Sequence, residues 1–283
     1  MKFTKRVVEA PKAPPTLVEG FNYLFEKGIA AVNKKEDQHR SKEHFHASSI
    51  GYCLKSLYLG NQAGEEKETG VSFLKKVGLG SCVHELYQKY LAYTGKLYGP
   101  WYCKKCGTTK RAGFEPEGEC CEKPKHESSE FHFMNSKYKV SGHPDGFLQI
   151  LKPKLTLLEI KTISGFRRIK DGPQNVDRFV PEHKRQVNFY LHIMQDKSTA
   201  IPNVDKDLLL AMLDSSRYLL VYLDKSTDET VPYEFAADTE QYEKDLARVA
   251  LYHKCMKEGV EPPAERSSTA CKYCKYLNQC NGL

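Results

Sequence analysis

Apolar residues recur every three or four positions along three stretches of the chain, and this periodicity predicts amphipathic helices. The stretches cover 16–36, 73–93 and 182–195. A fourth helix is predicted over 239–256, ahead of the paired prolines Pro262 and Pro263. Helices of this kind pack one face against a core, so the chain is expected to build a layered globular structure.

Short apolar runs between these helices predict four strands. Turn signals at His143-Pro144 and Lys152-Pro153 separate the first three runs. The strands are predicted over 138–140, 146–151, 155–162 and 218–223. This mixture of strands and long helices predicts an α/β fold in which helices pack around a sheet.

Composition and charge narrow the class of protein. The chain has 283 residues, 40% of them hydrophobic, with 43 Lys and Arg against 36 Asp and Glu and a net charge of +7. These values exclude a disordered or collagen-like chain and suggest an anionic partner. The longest apolar runs, such as 208–213, fall far below the roughly 20 residues that cross a bilayer, so no membrane span is expected.

The N-terminus has no apolar segment of the secretory type, because basic residues lead directly into Pro11, Pro14 and Pro15. We therefore expect a cytoplasmic protein. In a reducing compartment its ten cysteines are more readily explained as metal ligands than as disulfides.

Two charged residues interrupt the otherwise apolar strand over 155–162. Side chains alternate along a strand, so Glu159 and Lys161 share one face and Ile160 points to the other. A hairpin would bring Asp145, at the start of the preceding strand, close to Glu159. Two carboxylates and a backbone carbonyl suit Mg²⁺ or Mn²⁺, beside which Lys161 could orient or activate a water. The alternative is a structural ion pair between Glu159 and Lys161.

Three further polar residues lie in the predicted helices. Gln186 and Tyr190 are four residues apart and therefore share a helix face, while His84 lies beside the apolar stripe of the helix over 73–93. Taken singly, His84 is explained as a histidine at the edge of a core, and Gln186 as a solvated helix residue.

Together these residues form four short motifs in a fixed order along most of the chain. The pattern resembles the RecB-like branch of the PD-(D/E)XK nuclease superfamily, in particular its iron-sulfur members, the AddB nuclease domain and the CRISPR-associated RecB-like exonucleases. The motifs are G-x3-H at 80–84, G-x2-D at 142–145, E-x-K at 159–161 and Q-x3-Y at 186–190.

The resemblance implies a restriction-endonuclease-like mixed sheet flanked by helices, in a protein that acts in the cytoplasm of a bacterial, archaeal or phage-infected cell. It also implies a metal-dependent DNA exonuclease that acts on single-stranded ends in recombination, repair or replication. The ligands of Mg²⁺ or Mn²⁺ would be His84, Asp145, Glu159 and the carbonyl oxygen of Ile160. Lys161 would serve the attacking water, and Gln186 and Tyr190 would position Lys161 and the DNA strand.

Four cysteines at the two ends of the chain resemble the 4Fe-4S ligands of the same nucleases. They are Cys53, Cys271, Cys274 and Cys280. An iron-sulfur cluster takes four thiolates and would join the N-terminal and C-terminal segments. The family usually has proline directly after the first cysteine, where this chain has Leu54. Reduced thiols, or zinc on the same residues, are the alternatives.

The segment over 99–130 is rich in Gly, Pro, Glu and Lys, which is typical of an insertion with its own small core. Its cysteines are Cys103, Cys106, Cys120 and Cys121. The first pair has the C-x2-C spacing of a zinc knuckle and the second pair is adjacent, so we predict a structural Zn²⁺. His126 could replace one of the adjacent cysteines. Cys82 and Cys255 remain and are interpreted as core residues.

Basic residues concentrate between 161 and 185, where seven Lys or Arg stand against three Asp or Glu. Such a segment could neutralise DNA phosphates, and Phe166 or Phe179 could stack on an unpaired base. A solvated loop is the alternative. The candidate DNA-binding residues are Arg167, Arg168, Lys170, Arg178, Lys184 and Arg185.

These assignments divide the chain into four predicted segments. They are an N-terminal helical part with the first cluster cysteine (1–98), a zinc-binding insertion (99–130), the nuclease core (131–260) and an iron-sulfur tail (261–283). No Walker A loop is present, so a helicase or recombination partner would be a separate protein. The rival functions are a non-catalytic DNA-binding or end-processing accessory protein in a recombination, replication or CRISPR-adaptation complex, and an iron-sulfur redox protein.

Overall fold

The computed structural model describes residues 23–24, 26–29, 43–62, 71–116, 118–163, 166–225, 227, 229–265, 271 and 274–280. Most of the helix predicted over 16–36 lies outside these ranges, although 23–24 and 26–29 are helical. None of the described helices combines the length and the apolar composition needed to cross a bilayer.

The chain groups into two compact units. The smaller unit consists of Met1–Ser41 and Glu66–Leu79, and the larger of Lys42–Glu65 and Gly80–Leu283. All the strands described here and all the candidate site residues belong to the larger unit. The four segments drawn from the sequence stay a prediction.

Eleven strands lie within the described part of the chain. They are β1 (Phe45–His46), β2 (Leu97–Cys103), β3 (Thr109–Gly113), β4 (His126–Ser128), β5 (Phe133–Asn135), β6 (Val140–Gly142), β7 (Gly146–Leu148), β8 (Leu155–Ile163), β9 (Thr199–Ala200), β10 (Leu213–Asp224) and β11 (Thr230–Ala236).

Seven of these described strands form one mixed sheet. Its order is β11-β10-β8-β7-β2-β3, and β4 also pairs with β2. The central strand β8 runs parallel to β10 and antiparallel to β7. A second sheet among the described residues has the order β1-β6-β5-β9. Because β8 lies inside the larger sheet, its charged residues are surrounded by protein on both edges.

Besides the helical residues 23–24 and 26–29, the described residues form seven α-helices: α1 (Leu54–Gln62), α2 (Val71–Tyr93), α3 (Gln174–Phe179), α4 (Pro181–Ile193), α5 (Lys206–Met212), α6 (Thr239–Glu258) and α7 (Leu277–Cys280). Local chemistry sets the ends of the long ones. Pro181 occupies the first turn of α4, where a missing N–H is tolerated. The side chain of Asp238 accepts a hydrogen bond from the backbone of Gln241 at the start of α6, which ends at the left-handed Gly259.

Both faces of β8 are covered. Leu158 and Ile160 contact side chains of α2, including Val83, whereas Leu157 lies in the main core with Val187 of α4. The predicted mixed α/β fold, with a multi-stranded sheet flanked by helices, is therefore confirmed. Helices predicted over 182–195 and 239–256 match α4 and α6 to within two residues.

Three predicted strands differ from the structure. The strand predicted over 218–223 begins five residues earlier, at Leu213 of β10. The run over 138–140 begins in a turn, and the strand β6 starts only at Val140, because Lys139 adopts a left-handed conformation with φ 50°. The strand predicted over 146–151 ends at Leu148, since the chain bends away and leaves Ile150 and Leu151 exposed.

The glycine of the G-x2-D motif has a steric role. A Cβ on Gly142 in β6 would lie 2.6 Å from the ring of Phe133 and 2.8 Å from the ring of Tyr190. Both rings are buried and pack edge to face, 5.5 Å apart. Only glycine therefore lets β6 approach α4 this closely.

We expect Gly142→Ala to lower the free energy of unfolding by about 1–3 kcal/mol, because two packed rings must move to admit one methyl group. Gly99→Ala is the matched control, since a Cβ on this strand glycine would meet its neighbours at an ordinary 3.5 Å. Urea denaturation measures both, and equal stabilities of the two variants would contradict the steric explanation.

Candidate functional site

The hairpin formed by β7 and β8 brings two acidic residues together. Gly146 pairs with Leu158, so Asp145 lies beside Glu159 and Ile160. Asp145 Oδ2 accepts a hydrogen bond from the backbone N–H of Ile160 at 2.5 Å. Asp145 is 6% exposed and Glu159 is 3% exposed. Two carboxylates are thus held side by side in the interior.

Helix α2 supplies the histidine. A Cβ on Gly80 would lie 3.0 Å from Thr162 Oγ1, so this glycine permits a close approach of α2 to β8. One turn later, His84 Nε2 lies 2.7 Å from Asp145 Oδ2, and Gln88 donates to the backbone oxygen of Asp145 at 3.0 Å. The first predicted motif therefore meets the second in space.

Helix α4 supplies the other two predicted residues. Gln186 donates to Glu159 Oε1 at 2.8 Å and to the Tyr190 hydroxyl at 2.9 Å. Lys161 donates to Glu159 Oε1 at 2.8 Å and to Gln186 Oε1 at 2.9 Å. All four predicted motifs thus form one connected network, in which Glu159 Oε1 accepts two hydrogen bonds.

The second oxygen of Glu159 is different. Oε2 is buried and has no hydrogen-bond donor among the described residues. A buried carboxylate oxygen without a partner is costly, and such groups are commonly completed by a metal. His84 and Asp145 offer a nitrogen and an oxygen that lie within 4.8 Å of each other, and Glu159 is the residue beside them on β8 although it is not part of that close group. Oxygen and imidazole donors of this kind suit Mg²⁺ or Mn²⁺.

The electrostatics of the site follow from burial and from the charges within it. Burial and the negative charge of Asp145 raise the pKa of Glu159 to about 7, although Lys161 opposes the shift. Burial lowers the pKa of Lys161, but Glu159 outweighs this effect and the net shift is upward. Burial, with smaller effects of nearby carboxylates, raises the pKa of Tyr190 well above its usual value. Lys161 is therefore an ammonium group and Tyr190 a neutral phenol.

One acidic residue was missed by the sequence analysis. Glu130 Oε1 lies 3.7 Å from His84 Nδ1, and one ligand atom from each of His84, Glu130 and Asp145 lies within 4.8 Å of the others. Partial desolvation and the charge of Asp145 raise the pKa of Glu130. The sequence does contain a pattern that indicates its position. Phe131 and Phe133 are buried, and successive side chains of an extended segment point to opposite sides, so Glu130 is expected to face away from the core.

A second group of ligands lies in the insertion. The sulfurs of Cys103, Cys106, Cys120 and Cys121 all lie within 4.8 Å of one another. His126 Nε2 is 3.4 Å from the Cys120 sulfur. The structure thus brings all five predicted zinc ligands together. This cysteine tetrad can hold a metal ion.

The four cysteines predicted to bind an iron-sulfur cluster lie near the start of α1 or in the tail. The Cys274 sulfur is 3.9 Å from Ser56 Oγ in α1. The hydrogen bond that Lys55 donates to Glu261 raises the pKa of Lys55, and Cys53 and Cys280 add to this effect, so these two cysteines lie near that lysine. No three of the four sulfurs, all of them described, lie within 4.8 Å of one another. A cubane cluster spaces its ligands over four irons and needs a wider arrangement than one zinc ion does.

The predicted DNA-binding residues divide into two groups. Arg167 is exposed, and the guanidinium groups of Arg168 and Arg178 lie 5.9 Å and 5.1 Å from the ring of Phe179. The other three have acidic partners within the protein. The pairs are Lys170 with Glu229, Lys184 with Asp177, and Arg185 with the fully buried Asp245.

Comparisons with known proteins give structural similarities only. No protein-family model matches the chain, and no curated protein sequence matches it. The crystal structure of SSO0001 is similar with a TM-score of 0.48 and 14% identity, over 92% of this chain and 96% of that one. An alkaline exonuclease from Laribacter hongkongensis is similar with a TM-score of 0.39 and 12% identity, over 77% and 90%. The complex of that exonuclease with dAMP is similar with a TM-score of 0.41 and 10% identity, over 85% of this chain and 94% of that one. At these values the function has to be argued from the site.

A second histidine lies close to the network without belonging to it. His183 is in the first turn of α4, and its Nδ1 is 3.2 Å from the hydroxyl of Tyr222 on β10. Burial and the positive charge of Lys161 lower the pKa of His183 to about 3. The imidazole is therefore neutral in the folded protein at every pH above this value.

We expect acid to destabilise the protein through His183. The contribution of neutral His183 to the free energy of unfolding is fully present above about pH 6.5, the pKa of a histidine in the unfolded chain. This contribution is lost as the pH falls toward 3, because the unfolded chain binds the proton at a higher pH than the folded protein does. The loss should reach up to about 1.4 kcal/mol per pH unit. It should be smaller in His183→Asn, which keeps an acceptor for Tyr222. Denaturation at several pH values measures this, and identical pH dependences in the two proteins would contradict it.

Proposed function

We propose that this protein is a metal-dependent DNA exonuclease that hydrolyses phosphodiester bonds from single-stranded ends, in DNA recombination, repair or replication. The observation that carries the proposal is the buried carboxylate of Glu159, whose Oε2 has no donor among the described residues and which lies beside Asp145. A carboxylate pair of this kind suits a divalent cation, and a bound cation supports phosphodiester hydrolysis by stabilising the charge on the phosphate and activating water.

The donor set fits a divalent cation. His84, Asp145, Glu159 and the carbonyl oxygen of Ile160 are the residues that would hold Mg²⁺ or Mn²⁺. A bound cation would polarise the scissile phosphate and lower the pKa of a water molecule. Lys161 donates to one oxygen of Glu159 only, and Oε2 has no donor among the described residues, so this oxygen is available to a cation.

Lys161 orients the nucleophile. Its raised pKa keeps it an ammonium, so it donates hydrogen bonds and does not remove the proton from water. Glu159 and Gln186 fix its position with two hydrogen bonds. Tyr190 in turn holds Gln186 and acts through it as a positioning residue.

Three exposed basic residues lie in the segment between β8 and α4 and offer a binding surface for the DNA strand. Arg167, Arg168 and Arg178 have no acidic partner in the salt bridges of the described chain, and Phe179 lies among them. Guanidinium groups bind phosphates, and an aromatic ring stacks on an unpaired base. This combination favours single-stranded DNA as the substrate.

Two structural metal centres complete the proposal. The cysteine tetrad of the insertion has the ligand number and the closeness that tetrahedral Zn²⁺ requires. For Cys53, Cys271, Cys274 and Cys280 we propose a 4Fe-4S cluster. Its support is the tail, where Glu265 bonds the backbone of Leu54 at 3.1 Å and so ties the chain end to α1.

Metal analysis of anaerobically purified protein should find about one zinc and about four iron atoms per chain. Cys106→Ser should lose the zinc and keep the iron, whereas Cys274→Ser should lose the iron and its brown colour and keep the zinc. Each variant is the control for the other. The two assignments would be contradicted if each variant kept the metal that it is expected to lose, or if the wild type contained neither zinc nor iron.

Glu159→Gln should lower the rate of single-stranded DNA degradation at least about a hundredfold, because the neutral amide cannot complete the metal site. The fold and the affinity for DNA should be retained. End-labelled DNA with Mn²⁺ measures turnover and end polarity together.

The matched control is Glu243→Gln on the exposed side of α6, which should leave the rate unchanged. Undiminished cleavage by Glu159→Gln would contradict the proposed site. Retained DNA binding without any cleavage by the wild type would favour the accessory-protein function instead.

A further inference from the structure

We infer that the cysteine-rich insertion completes the active site by supplying Glu130 as a further ligand of the divalent cation. This inference rests on the proposed function. It adds a residue that lies outside the four motifs and gives the insertion a part in catalysis.

The backbone on both sides of Glu130 is anchored. The N–H of Ser129 donates to the carbonyl oxygen of Pro100 in β2 at 2.9 Å. On the other side Phe131 is 1% exposed, and its ring packs edge to face on Phe147 at 4.7 Å. Phe147 lies two residues after Asp145 in the sequence. Glu130 is thus fixed next to the acidic pair by packing that its neighbours make with the hairpin.

The strand β2 connects the cysteine tetrad to the site. At one end Cys103 pairs with His126 of β4, and at the other Tyr98 pairs with Phe147 of β7. The chain enters β4 five residues after Cys121 and leaves it two residues before Glu130. A metal on the tetrad would hold β4 against β2 and so fix the point from which Glu130 reaches His84.

The three acidic side chains of the site differ in their exposure to solvent. The side chains of Asp145 and Glu159 are 5% and 4% exposed, whereas that of Glu130 is 45% exposed. Glu130 therefore closes the site on the side that water and substrate reach. Glu130 thus adds a third carboxylate to Asp145 and Glu159, and ligand sets rich in carboxylate oxygen suit Mg²⁺ or Mn²⁺.

Binding of Mn²⁺ alone, measured by isothermal titration calorimetry, tests the inference without reference to turnover. Glu130→Gln should weaken Mn²⁺ binding at least about tenfold, in line with loss of one charged ligand. The matched control is Glu127→Gln in β4, whose carboxylate pairs with Lys104 at 2.6 Å and should not affect Mn²⁺ binding. Glu130→Gln is isosteric and partly exposed, so thermal unfolding should show an intact fold.

A second variant tests the part played by the insertion. Cys106→Ser alone should also weaken Mn²⁺ binding. The double variant Cys106→Ser, Glu130→Gln should bind Mn²⁺ no more weakly than Glu130→Gln alone, because both changes remove the same ligand from the cation. Simple additivity of the two effects would overturn the link between the tetrad and Glu130.

The result separates this inference from the proposed function. If the wild type binds Mn²⁺ and Asp145→Asn abolishes binding, while Glu130→Gln binds as tightly as the wild type, the role of Glu130 is overturned and the nuclease site stands. If the wild type does not bind Mn²⁺, both fail together.

Discussion

A carboxylate buried in the central strand is the constraint on which the rest of the site depends. Glu159 belongs to β8, whose neighbours β7 and β10 exclude water from both of its edges. One of its oxygens receives hydrogen bonds from Lys161 and Gln186, and the other receives none from the described residues. Keeping such a charge in the interior is unfavourable unless a positive group completes its environment. The environment of Glu159 therefore favours a site in which a bound cation contacts the second carboxylate oxygen.

Specific local features determine the positions of the strands and helices around Glu159. The turn before β7 places Asp145, the small Gly80 lets α2 bring His84, and α4 brings Gln186. The same sheet continues through β2 into the cysteine tetrad. Since β2 belongs to both regions, a metal in the insertion and a metal in the site would be coupled through one strand.

Much of this site could be predicted from the sequence, because its motifs depend on local geometry. Strand alternation places Glu159 and Lys161 on one face, and helix periodicity places Gln186 above Tyr190. The C-x2-C spacing pointed to Cys103 and Cys106 as candidate metal ligands. The adjacent Cys120 and Cys121 join the same tetrad because the loop before β4 folds back on β2.

Other features could not be predicted, because they depend on contacts between distant parts of the chain. Glu130 comes close to His84 only after β2, β4 and β7 have paired. Arg185 was assigned to DNA from the local charge, yet its partner Asp245 lies 60 residues away in α6. The sheet that joins β1, β6, β5 and β9 is built from strands of two or three residues, too short for a periodic pattern to mark them.

The most direct test of the central claim is anomalous diffraction from crystals of the protein grown with Mn²⁺, recorded at the manganese absorption edge. The account predicts a manganese peak in contact with Oε2 of Glu159 and the carboxylate of Asp145. A map without manganese at this position, in which Glu159 Oε2 is instead protonated and hydrogen-bonded to protein, would contradict it.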